Sequence, residues 1–134
     1  MEINWLAAVL AFAAGMVVAM IWYGKVFTTV WATLAGVAPE DSKRASRRNM
    51  GLLLLANGVT AFGLAVGIEI ASEAVGEDSV WLALLVGFAA WLTLSASTLL
   101  QHNAFELKPP KLTLLNSAYQ LVLFLAMALV IGAM

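Results

Sequence analysis

The sequence contains no cysteine, which excludes disulfide bonds, iron–sulfur clusters and zinc sites built on thiolates. It contains a single histidine, so two histidines of one chain cannot ligate a haem. Charged residues make up only 11 % of the chain, and the net charge of −1 argues against a nucleic-acid partner, which requires many phosphate contacts. We therefore predict neither a cofactor nor a metal centre.

The motifs that mark common active sites are also missing. The chain has no glycine-rich phosphate loop, no nucleophile elbow, no paired-carboxylate motif and no HExxH zinc motif. The sequence favours a protein that is not an enzyme, although it leaves catalysis open.

Apolar residues, in contrast, make up 63 % of the chain. A soluble domain of this size cannot bury so much apolar surface, so lipid must surround most of it. Four segments approach the roughly 20 residues that a helix needs to cross a bilayer, namely residues 4–23, 50–70, 80–101 and 112–134. Their length and their lack of period-two alternation favour helices over barrel strands. We predict one all-α domain, residues 1–134, folded as an integral membrane four-helix bundle.

A short amphipathic segment follows the first predicted helix. Residues 26–35 carry apolar side chains on one helical face, and Trp31 is placed for the level of the lipid headgroups. We predict an interfacial helix there, which ends at Gly36 and Pro39.

All seven basic residues fall on one side of such a bundle. They are Lys25, Lys43, Arg44, Arg47, Arg48, Lys108 and Lys111. The other side carries only acidic residues, which are Glu2, Glu69, Glu73, Glu77 and Asp78. Because basic loops stay in the cytoplasm, we predict a protein of the cytoplasmic membrane with both termini outside. We also predict that Lys43, Arg44, Arg47 and Arg48 contact anionic lipids, with a specific anionic ligand as the alternative.

Small residues spaced four apart permit close packing of membrane helices. The pairs are Ala11 with Gly15, Gly63 with Gly67, and Ala83 with Gly87. A faint repeat also relates Trp5-Leu6-Ala7 to Trp81-Leu82-Ala83, which would fit two helix hairpins arranged as parallel repeats. Chance similarity between apolar helices is the alternative. Because so small a bundle buries few groups alone, we expect a homo-oligomer.

Polar side chains gather in the halves of the helices that we place toward the cytoplasm. On the third and fourth helices they recur at spacings of three or four, which puts them on shared faces. Membrane interiors hold such groups only where protein or water partners them. We therefore predict a polar pocket that opens to the cytoplasm. It comprises Tyr23, Asn57, Ser95, Thr98, His102, Glu106, Asn116, Tyr119 and Gln120.

A purely structural role for these groups is the alternative. Serine and threonine often bond to their own helix backbone, and asparagine and glutamine often link neighbouring membrane helices. His102 and Glu106 also suit the headgroup region.

Several short motifs look familiar together. They are Trp22-Tyr23-Gly24 followed by Phe27 and Trp31, Gly87-Phe88-x-x-Trp91, Asn103-x-Phe105-Glu106, and Leu115-Asn116-x-Ala118-Tyr119. In these motifs the chain resembles a family of small four-helix bacterial membrane proteins that is catalogued only as a domain of unknown function. The resemblance implies the fold and a bacterial membrane location, and it implies no activity. The Pro109-Pro110 pair departs from that pattern.

Three functional hypotheses remain. The first is a transport or channel-like protein whose polar pocket takes an ion or a small polar solute. The second is a non-catalytic accessory or scaffold protein that packs against other membrane proteins or lipids. The third is an enzyme that acts on a lipid-borne substrate, with His102 and Glu106 as acid and base.

Overall fold

The computed structural model describes residues 3–134, and for Pro39 it describes the backbone alone. The chain forms seven α-helices within that range, with two π-helical segments and no strand. The helices are α1 (Trp5–Ile21), α2 (Thr28–Ala35), α3 (Pro39–Arg44), α4 (Ser46–Val75), α5 (Val80–Ala90), α6 (Ser97–Phe105) and α7 (Pro110–Ala133). The π-helical segments are Trp22–Val26 and Trp91–Ala96.

Four helices of this fold are long and apolar enough to cross a membrane. Span 1 is Trp5–Val26, span 2 is Ser46–Val75, span 3 is Val80–Phe105 and span 4 is Pro110–Ala133. The protein is therefore an all-α integral membrane bundle. Met1 and Glu2 belong to the predicted domain but lie outside the described residues.

Local sequence explains where these helices begin. The side chains of Asn4 and Ser79 accept hydrogen bonds from the backbone N–H groups of Ala7 and Leu82, at 3.0 and 3.1 Å, and so cap spans 1 and 3. Pro110 occupies the first turn of span 4, where its missing N–H costs nothing.

Left-handed residues stop three of the helices. Gly36 ends α2 at φ 72° and Gly76 ends span 2 at φ 77°. Leu107 follows span 3 at φ 59°, although it has a side chain that disfavours this conformation. The backbone N–H of Lys108 donates to the carbonyl of Asn103 at 2.9 Å, which closes the same type of cap that glycine usually provides.

The observed helices extend beyond the predicted apolar segments. Span 2 begins at Ser46 and ends at Val75, so it contains two arginines and one glutamate (Arg47, Arg48 and Glu73) that lie outside residues 50–70. Span 3 continues to Phe105. Hydropathy marks the part of a helix that can lie in lipid, whereas the helix itself continues until a cap stops it.

The spans pack antiparallel, with span 4 in the central position. Span 4 packs most extensively on spans 1 and 3, and span 2 packs mainly on span 1. Contacts along these seams fix the direction of the helices. For example, Trp5 stacks on Phe62 at 5.5 Å between ring centroids, and Tyr23 hydrogen-bonds to Asn116.

This arrangement brings the seven basic residues to one end of the bundle, called here the basic end. The ammonium group of Lys108 donates to the backbone carbonyl of Ala35 at 3.3 Å, which ties the loop between spans 3 and 4 to α2. Glu69, Glu73, Glu77 and Asp78 lie toward the opposite end.

Two of the three small-residue pairs lie in helix contacts. Ala11 and Ala83 are fully buried, and Gly15 and Gly87 pack directly on span 4. Gly63 and Gly67 have no atom within 4 Å of the position that a Cβ would take. Among residues 3–134, nothing packs against the bare backbone of that pair.

Candidate functional site

Four of the predicted pocket residues come together between spans 1, 2 and 4, and we call them the polar cluster: Tyr23, Asn57, Asn116 and Tyr119. The Tyr23 hydroxyl donates to Asn116 Oδ1 at 2.6 Å. The two tyrosine rings meet edge to face, with centroids 4.7 Å apart and planes at 63°. Tyr23 is thus fixed by a hydrogen bond at its tip and by a ring contact along its side.

Asn57 is the most enclosed polar side chain of the cluster, with only 3 % of its surface exposed. Its Nδ2 donates to the sulfur of Met16 at 3.2 Å. A thioether is a weak acceptor. The amide also lies next to the Tyr119 hydroxyl, but the two groups do not reach hydrogen-bond geometry. The side-chain amide of Asn57 therefore makes one weak hydrogen bond, to a sulfur, and could still bind a better partner.

Two buried donors of this region have no hydrogen-bond partner among residues 3–134. They are the hydroxyl of Tyr119 and the indole nitrogen of Trp22. Tyr119 is only 5 % exposed, and its ring lies 6.3 Å from that of Trp22, between centroids. Most buried polar groups in proteins are satisfied by protein or by ordered water, so two unpaired donors near one another single out this region.

An apolar layer closes the polar cluster on the side away from the basic end. The side chains of Leu123 and Met127 pack on the bare backbone of Gly15 and are 2 % and 0 % exposed. The small surface of Gly15 allows spans 1 and 4 to approach closely there. This layer contains no polar side chain.

Toward the basic end, a cleft of about 370 Å³ lies between the end of span 1 and the start of span 2. We call it the mouth cleft. Tyr23 forms part of its wall, and Leu53, one helical turn from Asn57, lies at its inner end. Its polar lining also includes Ser42, Ser46 and Asn49. The cleft thus reaches from the surface of the basic end to the edge of the polar cluster.

The other five predicted pocket residues are not part of this cluster. Thr98, His102 and Glu106 are exposed, and the Thr98 hydroxyl donates to the backbone carbonyl of Leu94 at 2.7 Å. Ser95 and Gln120 are half-buried, and within residues 3–134 their side chains make no hydrogen bond. The structure therefore brings four of the nine predicted pocket residues together and places the other five outside the polar cluster.

The reason lies in the rotation of span 3. Spacings of three or four place residues on a common face, but they do not say in which direction that face points. The π-helical segment Trp91–Ala96 also winds more residues into each turn, which shifts the phase of everything that follows it. The face that holds Thr98 and His102 consequently points away from the bundle. Their proposed chemical roles stay predictions.

Sequence reasoning missed two polar contacts that hold this region together. The buried Asn103 donates through Nδ2 to Thr113 Oγ1 at 3.1 Å, across the turn between spans 3 and 4. The Trp91 indole donates to the carbonyl of Ser117 at 2.8 Å. Asn103 and Thr113 lie at similar distances along the chain on either side of the short turn between spans 3 and 4. This placement could have predicted their hydrogen bond.

The residues predicted to contact anionic lipids are exposed at the basic end. They are Lys43, Arg44, Arg47 and Arg48. Arg44 lies 3.7 Å from Asp41, a pair too exposed to contribute much stability. Within residues 3–134, no group of three or more histidine, aspartate or glutamate side chains is arranged to hold a metal ion.

The fold and the polar cluster define a class of protein, a small all-α integral membrane protein with polar side chains enclosed among its spans. A family model described as "Protein of unknown function (DUF1761)" matches residues 6–132, and the chain belongs to this family. The match confirms the resemblance to a family of unknown function that the sequence motifs indicated. No curated protein and no solved structure matches the chain.

Proposed function

We propose that this protein is transport or channel-like, and that an ion or a small polar solute passes through the mouth cleft to the polar cluster. The observation that carries this proposal is the pair of buried, unpaired donors on Tyr119 and Trp22. A hydroxyl buried without a partner costs about 1–3 kcal/mol. Water or a polar solute at the cluster would remove that cost.

The packing on either side of the polar cluster supports access from one end only. The mouth cleft approaches it from the basic end, whereas Gly15, Leu123 and Met127 pack closely on the other side. A transporter needs such a barrier because an open path would let the solute leak.

The charge distribution supports an orientation in which the basic end lies in the cytoplasm and both termini lie outside. Gly63 and Gly67 support a homo-oligomer, because a Cβ added at either one would meet no atom within 4 Å and small residues on a membrane helix let a second helix approach. Cysteine substitutions in the loops would test the orientation by labelling with a reagent that cannot cross the membrane.

Flux into liposomes that contain the purified protein tests the proposal. Probes would be K⁺, Na⁺, protons and glycerol, followed by fluorescent dyes or by light scattering. We expect flux of at least one probe above that of empty liposomes. Tyr119→Phe should lower it several-fold, because it removes the unpaired hydroxyl and keeps the ring.

The matched control is Thr98→Val, which removes an exposed hydroxyl that bonds only to its own helix. This variant should leave the flux unchanged. The proposal fails if none of the four probes crosses faster than in empty liposomes, or if Thr98→Val reduces flux while Tyr119→Phe does not.

The second candidate is an accessory or scaffold protein, and the exposure of span 3 favours it. Only 11 % of the most apolar stretch of span 3 is buried, against 28 % for the corresponding stretch of each of the other spans. Large side chains such as Trp81, Leu94 and Phe105 are exposed along it. A scaffold with a dry interior should show no flux, and Tyr119→Phe should then stabilise it by about 1–3 kcal/mol, because it removes a buried polar group that nothing pairs.

A further inference from the structure

Three adjoining clefts surround the elbow of the chain, which we define as α2, α3 and the first turn of span 2. One is the mouth cleft. The second, the hydroxyl cleft, has a volume of about 510 Å³ between α2 and α3 and shares Ser42 and Ser46 with the mouth cleft. The third, the lipid-facing cleft, has a volume of about 440 Å³ along span 1 and shares Met20 and Gly24 with it. The shared residues make the three clefts one adjoining set.

The polar end of this set is chemically suited to an anion. Ser42, Ser46, Thr29 and Thr33 contribute hydroxyl groups to the hydroxyl cleft, and Lys43 contributes a positive charge. Among residues 3–134, no carboxylate lines any of the three clefts. Hydroxyl donors beside an ammonium group, without a competing acid, are what a phosphate oxygen requires.

The start of span 2 adds positive potential to the same place. Its first turn contains no acidic residue, and no side chain caps its N–H groups. Arg47 and Arg48 lie in that turn, where the helix dipole already favours negative charge. An anion at Ser46 would be stabilised by the two arginines and by the helix dipole.

The opposite end of the set is apolar and lies deeper along span 1. Val17, Met20 and Ile21 line the lipid-facing cleft, and Lys25 marks its shallow end, nearer the basic end. Met50 and Leu53 continue the apolar lining within the mouth cleft. Polar and apolar parts are therefore ordered along the membrane normal in the sequence of a phospholipid, headgroup first and acyl chain deeper.

We propose that the elbow and the adjoining face of span 1 bind an anionic phospholipid, with the phosphate at Ser42, Ser46 and Lys43 and an acyl chain along Val17, Met20 and Ile21. This goes beyond the general attraction of basic loops for anionic membranes, since it assigns one lipid to one set of clefts. The apolar continuation favours a lipid over a soluble anion. The inference does not rest on solute flux.

Thermal unfolding of the purified full-length protein in a neutral detergent tests this. Phosphatidylglycerol should raise the unfolding temperature in a saturable manner, whereas phosphatidylcholine should not. Inorganic phosphate forms a separate arm and should have no comparable effect. Native mass spectrometry should retain phosphatidylglycerol in preference to phosphatidylcholine.

The variant is Lys43→Gln, which should weaken the apparent affinity for phosphatidylglycerol about fivefold, as expected for one lysine near a charged headgroup. Ser46→Ala should weaken it in the same direction. The matched control is Lys111→Gln, which removes the same charge from the basic end but lines none of the clefts. Unfolding temperatures without lipid show whether each variant is folded.

The proposal is overturned if Lys111→Gln weakens binding as much as Lys43→Gln, because the attraction is then diffuse. It is also overturned if phosphatidylcholine stabilises equally, or if inorganic phosphate alone reproduces the stabilisation. That last result would assign the hydroxyl cleft to a soluble anion.

Discussion

Replacing Gly87 by alanine should destabilise the bundle, and the structure gives the magnitude. A Cβ at Gly87 would lie 2.8 Å from Ala128 Cβ and 3.2 Å from the carbonyl oxygen of Phe124. Neither atom can rotate away, because one is fixed to the backbone and the other belongs to it. Overpacking of this kind costs about 1–3 kcal/mol, and the better helix propensity of alanine returns less than about 1 kcal/mol. We expect a net loss of about 1–2 kcal/mol.

The distance between an added Cβ and its nearest atom does not by itself determine how much stability the substitution loses. At Gly15 the added Cβ would overlap Met127 Cε more deeply than it would overlap any atom at Gly87, and it would lie 2.9 Å from Leu123 Cδ1. Both are the ends of flexible side chains, which can change rotamer. Gly15→Ala should therefore destabilise less than Gly87→Ala, despite the shorter distance.

The assay is unfolding of the protein in mixed micelles by increasing dodecyl sulfate, followed by tryptophan fluorescence. The control is Gly67→Ala, which meets no atom within 4 Å and should be neutral or slightly stabilising. The reasoning is refuted if Gly87→Ala is as stable as the wild type, or if Gly67→Ala destabilises equally. The second result would indicate that Gly67 lies in a contact between copies of the chain.

Two further changes can be measured by the same titration. Tyr23→Phe should cost about 0.6–1.7 kcal/mol, because it removes the hydrogen bond to Asn116 and keeps the ring contact; an unchanged midpoint would mean that the bond contributes nothing. Leu107→Gly should stabilise by about 1 kcal/mol, because a left-handed residue that is 90 % exposed loses strain and no protein packing. A loss of stability in that variant would show that lipid or another chain holds the Leu107 side chain.

Much of the fold follows from simple features of the sequence. Long apolar segments predict the spans, and Gly36, Gly76 and Pro110 mark helix ends by rules that need no tertiary information. The end at Leu107 could not be predicted in this way, because a leucine rarely takes the left-handed conformation. There, the contacts of the whole turn override the local preference.

The site was less predictable because membrane helices carry little information about their rotation. Depth along the chain placed Tyr23, Asn57, Asn116 and Tyr119 at comparable levels, and the structure brings them together. The same argument also grouped Thr98 and His102 with them, and the structure leaves these two residues exposed. A soluble helix reveals its buried face by hydrophobic periodicity, whereas a helix in lipid is apolar all round.

The same ambiguity affects the small-residue motifs. Gly87 and Gly67 occur in identical spacings, yet one packs on span 4 and the other meets nothing. Whether such a glycine lies in a helix contact depends on the shape of the neighbouring helix. The spacing of the small residues contains no information about that neighbour.

The hydroxyl groups of span 3 carry a last consequence. Thr93, Ser97 and Thr98 each donate to a carbonyl four residues earlier, at 2.7, 2.6 and 2.7 Å. The hydroxyl hydrogens therefore point toward the backbone of their own helix, and the surface that faces the acyl chains consists largely of methyl and methylene groups. Counting these residues as polar overstates the price of inserting this helix into a bilayer. The hydroxyl groups of this outermost helix can thus border hydrocarbon, and they do not by themselves require cover from another polypeptide.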